Sequence, residues 1–375
     1  RITAKDIYDV NNACLKDAII LFNQGCTGEY VSAEGLFLTN HHCGYSYITS
    51  HSTVEHDYLT DGYWAMNRGE ELPAEGLSVR FLESFSDVTK AIEKAVKKAE
   101  TKEMRASLYN EECARLVKQA VGEDKFLRGY VSELYGGNAY YLVVEKIFKD
   151  VRFVGAPPSS IGKFGADTDN WVWPRHTCDF SMFRVYAGKD NNPADYSPDN
   201  VPYHPRRFLT ISLKGVEPGD FSMIIGNPGS TNRFMTAAEL RERRDINAIG
   251  IEARGKRQEI LLEDMLADPK VKIQYASKYS GSSNGWKKSI GMNETFGKLN
   301  VEQRRADEEK VFEEWVSKKK SRGEKYGDAL SKINGAVAGR AETYHNLHWF
   351  AETVANIELL SAVMMAERFA GPGQL

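Results

Sequence analysis

No run of about eighteen consecutive apolar residues occurs in the 375-residue chain, so no membrane-spanning helix is expected. An excess of either charge is also missing. The 49 basic and 52 acidic residues leave a net charge of -3, and that balance gives no reason to expect nucleic acid as a partner. Cysteine is sparse: Cys14, Cys26, Cys43, Cys113 and Cys178 include no Cys-x-x-Cys pair, which argues against a zinc ribbon or a thioredoxin-like motif. Their odd number leaves at least one sulfur unpaired within the chain. No His-Glu-x-x-His string occurs. Gly-Asn-Ser-Gly, a tight turn that presents a nucleophilic serine, is absent too. There is no internal repeat and no low-complexity linker. The chain opens at Arg1 without an apolar leader, so either a removed signal or a start inside a longer protein is expected.

What is present suits a globular protein. Hydrophobic residues make up 42% of the chain and aromatic residues 11%, enough for real cores and against disorder. A single core rarely grows past roughly 250–300 residues, so at least two domains are expected. Residues 20–85 read as β-rich, with pieces such as Gly35-Leu36-Phe37-Leu38 broken by polar residues. Over 87–121, Val88, Ile92, Ala95 and Ala99 recur at helical spacing. Strand character returns over 138–230. Leu209, Ile211 and Leu213 alternate with polar neighbours, and 179–186 reads as another strand. From 231 the pattern is helical. The charged stretch 300–322 predicts a solvated face. Leu347, Phe350, Val354, Ile357, Leu360 and Met364 form a stripe expected to pack between helices. The expected organisation is a β-domain over 1–230, with a helical excursion near 87–121, and the start of a helical domain over 231–375.

Two stretches carry chemistry. In CTGEYVSAEGLFLTNHHC (26–43), strand-like residues lead to a polar turn and then to His42 beside Cys43. A bridge between Cys26 and Cys43, seventeen positions apart, would pin the segment that holds His42. A catalytic imidazole needs such fixing, because it must stay within roughly 2.6–3.2 Å of its nucleophile. Chymotrypsin-like peptidases show this arrangement around their catalytic histidine. The bland alternative is two buried cysteines beside a surface histidine. In GADTDNWVWPRHTCDFSMFR (165–184), Asp179 stands at the start of an apparent strand, where a carboxylate can hold a histidine tautomer and stabilise its imidazolium. Asp167 and Asp169 are rivals in a setting that looks more like a turn. Ser230, after Gly226-Asn227-Pro228-Gly229, comes closest to a serine in a tight turn, but it follows the turn instead of sitting in it.

Together these strings resemble serine peptidase family 46, the bacterial dipeptidyl-peptidases of types 7 and 11. The resemblance rests on TNHHCGY (39–45), HSTVEHDYLTDGYWA (51–65), EELPAEGLSVRFL (70–82), DNWVWPRHTCDFSMFR (169–184), GNPGSTNR (226–233) and SSNGWKKSIGMN (282–293), in order along nearly the whole chain. It implies an α+β fold, a chymotrypsin-like double β-barrel, incomplete here, with an inserted α-helical domain. It implies His42 as general base and Asp179 as its orienting carboxylate. The nucleophilic serine is expected beyond Leu375, so the chain reads as a piece of a longer protein. Asn170, Trp171 and Asn284 are implied as the clamp for the free amino terminus of a peptide, since an ammonium wants oxygen acceptors and an aromatic wall. For Trp171 and Trp173 the plainer alternative is core packing.

The resemblance further implies peptides with a free amino terminus as substrates, no cofactor, and a homodimer of the longer protein. With the candidate Cys26–Cys43 bridge, which needs an oxidising compartment, it places the protein in the periplasm or at the cell surface of a Gram-negative bacterium. One departure stands out: Cys178 precedes the aspartate where the family usually has glycine, a strained choice if that position needs positive φ. Cys178 is also open to pairing with Cys14 or Cys113. Two rival readings remain: a zinc protein using the cluster His41, His42, Cys43, His51 and His56, and an inactive relative or peptide-binding module.

Overall fold

The structure is a computed structural model that describes residues 2–23, 25–165 and 169–370, with side chains as far as residue 366. The described chain divides into two compact units. One comprises Arg1–Ser52, His56–Phe164 and Cys178–Gly229; the other comprises Thr53–Glu55, Gly165–Thr177 and Ser230–Leu375.

The first unit is built on one sheet of eleven strands. They are β1 (Ile19–Phe22), β2 (Cys26–Tyr30), β3 (Leu36–Thr39), β4 (Tyr63–Trp64), β5 (Leu72–Pro73), β6 (Val79–Asp87), β7 (Leu127–Leu134), β8 (Ala139–Phe148), β9 (Asp150–Ala156), β10 (Ser181–Ala187) and β11 (Val201–Pro202). The order is β4-β9-β10-β3-β2-β1-β6-β8-β7, with β11 on β10 and β5 on β9. Every pairing is antiparallel. Alternating residues of β1 and β3 are buried, as expected for strands with one face on a core. That core is aromatic. Phe183 of β10 has the rings of Phe22, Phe153, Phe37 and Tyr47 around it at 5.1, 5.3, 5.8 and 6.1 Å between centroids.

The expected double β-barrel is corrected here. The sheet is open, with β4 and β7 as its unjoined ends. The segment expected to form a strand at Leu209–Leu213 is irregular. Its one backbone tie to a strand is the Leu209 N–H, which donates to the Tyr30 carbonyl at 2.7 Å. The physical reason is that a strand is completed by its neighbour. Without a partner ladder the alternation has no face to bury, and Ile211, Leu213, Val216, Phe221 and Ile224 are exposed.

The helical excursion is two helices. Thr89–Val96 and Lys102–Val121 pack through Ile92, Val96, Tyr109, Cys113 and Leu116 against Tyr140 and Val131. Thr101 caps the longer one by accepting from the Met104 N–H, and Gly122 ends it at φ 57°.

The second unit is helical from Ala237. Ala237–Ala267 starts with a reciprocal cap between Thr236 and Glu239. Pro269–Lys298 starts with Asp268 as cap and proline at the first position. Helices Val301–Ser317, Lys320–Tyr326, Ala329–Glu352 and Glu358–Ala370 follow. Arg254 and Arg257 converge on Glu352, and Arg340 pairs with Glu242. No described helix is long and apolar enough to cross a membrane. The stripe expected to pack between helices does not do so. Leu347, Phe350, Ile357, Leu360 and Met364 are exposed, and the helix breaks at Thr353 between its two halves.

Two glycines allow the helix that carries His42 to lie close to its neighbours. A Cβ at Gly44 would sit 2.6 Å from the Ser181 hydroxyl, and one at Gly162 would sit 2.3 Å from Cδ2 of His41. His41 is fully buried, so its ring cannot retreat into solvent. Gly162→Ala is therefore expected to destabilise the protein by about 1–3 kcal/mol through overpacking, read as a lower thermal midpoint. An unchanged midpoint would show that the His41 pocket yields.

Candidate active site

His42 lies in the first turn of helix His41–His51, with Asn40 in the N-cap position. It is not in a loop, as the polar residues before it suggest. The bond Cys26–Cys43 (S–S 2.09 Å, Cα–Cα 6.2 Å) ties this first turn to the start of β2. The other three cysteines are free, with Cys14 buried and Cys178 exposed. Cys178 carries no positive φ, so the strain considered for that position is not present.

Asp179 stands two residues before β10 and reaches the helix start. The His42 Nδ1 and Asp179 Oδ2 are 2.6 Å apart, and the His42 backbone N–H donates to Oδ1 at 3.0 Å. The Asp179 side chain is 13% exposed and the imidazole 54% exposed. An ionised carboxylate only accepts, so Nδ1 carries the proton and Nε2 keeps its lone pair. That is the tautomer a general base needs. Asn40, which the sequence did not single out, also donates from Nδ2 to Asp179 Oδ2 at 3.4 Å and to the Asp179 carbonyl at 3.2 Å.

His41 behaves differently from its neighbour. Among the described residues, its buried ring finds no hydrogen-bond partner of ordinary geometry. Burial lowers its pKa from 6.5 to about 4, and the charge of Asp179 and the Pro157 backbone oppose that shift.

The histidine cluster considered for zinc does not assemble. Among the described residues, the potential metal donors that converge are Cys26, His42 and Cys43. The two sulfurs are bonded to each other and the His42 Nδ1 faces Asp179, so this set offers no thiolate. His51 Nε2 is 3.0 Å from the Pro73 carbonyl.

In the second unit Asn170, Trp171 and Asn284 come together. Asn284 Oδ1 accepts from Asn170 Nδ2 at 3.1 Å and from Trp171 Nε1 at 2.9 Å. Asn170 Oδ1 accepts from Arg175 at 3.4 Å. Trp171 is exposed and has φ 62°, while Trp173 is more exposed still, so core packing does not account for either ring. The Lys288 ammonium lies 5.8 Å from the Trp171 ring centre. Asp169 accepts from the His176 backbone N–H, seven residues on, at 3.3 Å. Asp167 lies outside the described residues. Ser230 sits in irregular chain ahead of the Thr236 cap.

Peptidase S46 matches residues 1–374. The chain belongs to that family. It is 46% identical over 356 residues to dipeptidyl-peptidase 7 of Phocaeicola vulgatus, covering 94% of this chain and 49% of the relative. It is 45% identical over 353 residues to the Asp/Glu-specific dipeptidyl-peptidase of Porphyromonas gingivalis, covering 92% and 49%. Among solved structures, Porphyromonas endodontalis DPP11 in complex with the dipeptide Arg-Glu superposes with a TM-score of 0.85 at 42% identity, over 94% of this chain and 51% of that one. Its complex with Arg-Asp gives 0.86 at 43%, with the same coverage. The S46 chain thus spans about half the length of the relatives it matches.

Two outcomes are expected from this geometry. Replacing Cys26 and Cys43 by alanine opens a 17-residue crosslink, and such a loop contributes about 3 kcal/mol to stability. Denaturant unfolding should show that loss, and equal stability would mean the open chain is already restrained. The second concerns His41. Above pH 6.5 its neutral form matches the buried site. As pH falls from there toward about 4, the unfolded chain takes up a proton that the folded chain refuses, so stability falls and then levels off. Between pH 7.5 and 4.5 the protein should lose about 2 kcal/mol more than His41→Leu. Equal losses in urea titrations would remove His41 as the cause.

Proposed function

We propose that this chain supplies the histidine–aspartate half of a serine-type dipeptidyl-peptidase, with the nucleophilic serine contributed by a part of the protein outside these residues. The observation that carries the reading is the 2.6 Å contact between His42 Nδ1 and Asp179, which leaves Nε2 unprotonated on a half-exposed ring. In this mechanism Nε2 takes the serine proton as the hydroxyl attacks the second peptide bond of the substrate. Asp179 holds the tautomer and balances the imidazolium. The same proton passes to the leaving amine, the dipeptide remains as an ester on the serine, and water hydrolyses that ester to free the dipeptide and restore the hydroxyl. Asn170, Trp171 and Asn284 clamp the free amino terminus of the peptide. The relatives' names, dipeptidyl-peptidase 7 and Asp/Glu-specific dipeptidyl-peptidase, support this substrate class.

The protein acts on peptides and works without a cofactor. It resides in the periplasm or at the surface of a Gram-negative bacterium, where the Cys26–Cys43 bond persists. The full-length protein is a homodimer, a reading that rests on the family resemblance.

The test is release of a fluorophore from dipeptide conjugates by the full-length protein. Free-amine conjugates should be cleaved and N-acetylated ones spared, and Asp, Leu or Phe at the second position identifies the preference. His42→Ala should lower kcat/KM by at least about 10⁴-fold. Turnover of acetylated conjugates, or full activity in that variant, would overturn the reading.

A further inference from the structure

Asn40 occupies the N-cap of helix His41–His51, yet its side chain makes no cap hydrogen bond. An asparagine there ordinarily accepts from a backbone N–H of the first turn. Here Asp179 caps in its place, and Oδ1 of Asp179 accepts the His42 N–H at 3.0 Å. The Asn40 amide is released from capping and turned round. Its Nδ2 donates to Asp179 at both the carbonyl (3.2 Å) and Oδ2 (3.4 Å). Oδ2 is the oxygen that meets His42 Nδ1. The Asn40 carbonyl in turn accepts from the Ser181 hydroxyl at 2.9 Å, two residues beyond Asp179. Asn40 therefore clasps the chain at the aspartate and just beyond it.

We propose that Asn40 is a positioning residue for the His42–Asp179 pair, acting as a neutral donor that fixes the carboxylate in the orientation required by the imidazole. This rests on the peptidase reading above for its effect on rate, but not for its effect on the imidazole. A carboxylate has about four acceptor sites and turns about its bond to Cβ. The His42 backbone N–H holds one oxygen and Asn40 helps hold the other, so the Nδ1 contact keeps one geometry. The neutrality of Asn40 matters as much as its hydrogen bond. An aspartate at position 40 would place a second negative charge beside Oδ2 and stabilise the imidazolium over the free base.

The test compares wild type, Asn40→Ala, Asn40→Ser and Asn40→Asp in the full-length protein, each checked for folding by its thermal midpoint. Asn40→Ala is expected to lower kcat about tenfold with KM within twofold, because the pair acts on the transition state and not on substrate binding. Asn40→Asp is expected to move the acid limb of the kcat/KM profile up by about one pH unit. A second arm uses 15N-histidine labelling and NMR titration of the His42 imidazole, assigned with His42→Ala, and needs no turnover. The same upward shift in that titration supports the proposal even if no variant cleaves any conjugate, an outcome that would sink the peptidase reading alone. An unmoved His42 titration in Asn40→Asp overturns the proposal, as does wild-type kcat in Asn40→Ala. If Asn40→Asp does not fold, the kcat-against-KM split of Asn40→Ala and Asn40→Ser decides: a rise in KM with unchanged kcat overturns it.

Discussion

One carboxylate does two jobs in this structure, and the candidate site depends on their coincidence. Asp179 caps the helix that carries His42, and it also meets the His42 imidazole. The helix start presents unpaired backbone N–H groups and a partial positive charge. A carboxylate at that place is held by fixed dipoles as well as by the side chain it orients. Position then follows from packing. Asp179 is set by β10, β10 is set by Phe183 in the aromatic core, and Tyr47 of the same helix packs on that ring. Arg184 and Tyr186 further anchor β10 through the buried Glu71. The Cys26–Cys43 bond ties the same helix turn to β2.

Much of this was legible in the sequence because it is written in local strings. The Thr-Asn-His-His-Cys run, the partner cysteine at position 26 and an aspartate just ahead of an alternating strand are short-range signals. The change to a helical pattern near 231 is equally local, and the caps at Thr236 and Asp268-Pro269, found in the structure, each use only their own first turn. Asn40 leaves no local trace, for the opposite reason. Its role depends on Asp179, 139 residues away, and on Asp179 having taken the cap. No spacing rule within one segment reveals such an exchange.

The failures were non-local as well. Leu209, Ile211 and Leu213 have the period of a strand, but period describes only a face that is ready to be buried. Whether a ladder forms depends on a second segment, and none pairs there among the described residues. The stripe from Leu347 to Met364 has helical period, yet it stands open, with a break at Thr353 in its middle. The barrel failed on the same principle. Closure is a property of the two end strands together, and β4 and β7 do not pair.

The Asn170–Trp171–Asn284 group shows what a hydrogen-bond count adds to a residue list. An amide oxygen has two lone pairs. Both at Asn284 are already engaged, by Asn170 and by the Trp171 indole. An arriving ammonium finds no spare acceptor there unless one of those bonds gives way. Among the described residues, the Asn170 oxygen has a single long contact, at 3.4 Å from Arg175, and so retains acceptor capacity. On the clamp reading, the three residues are therefore unequal. In the proposed clamp, Asn170 would be the amine acceptor, Trp171 the wall, and Asn284 the residue that holds the other two in place. Holding Trp171 has a cost to offset, because a left-handed backbone in a residue with a side chain is unfavourable by about 1–2 kcal/mol. The indole N–H, bonded to both oxygens of Asn284, is what keeps that exposed ring from relaxing into a more comfortable conformation.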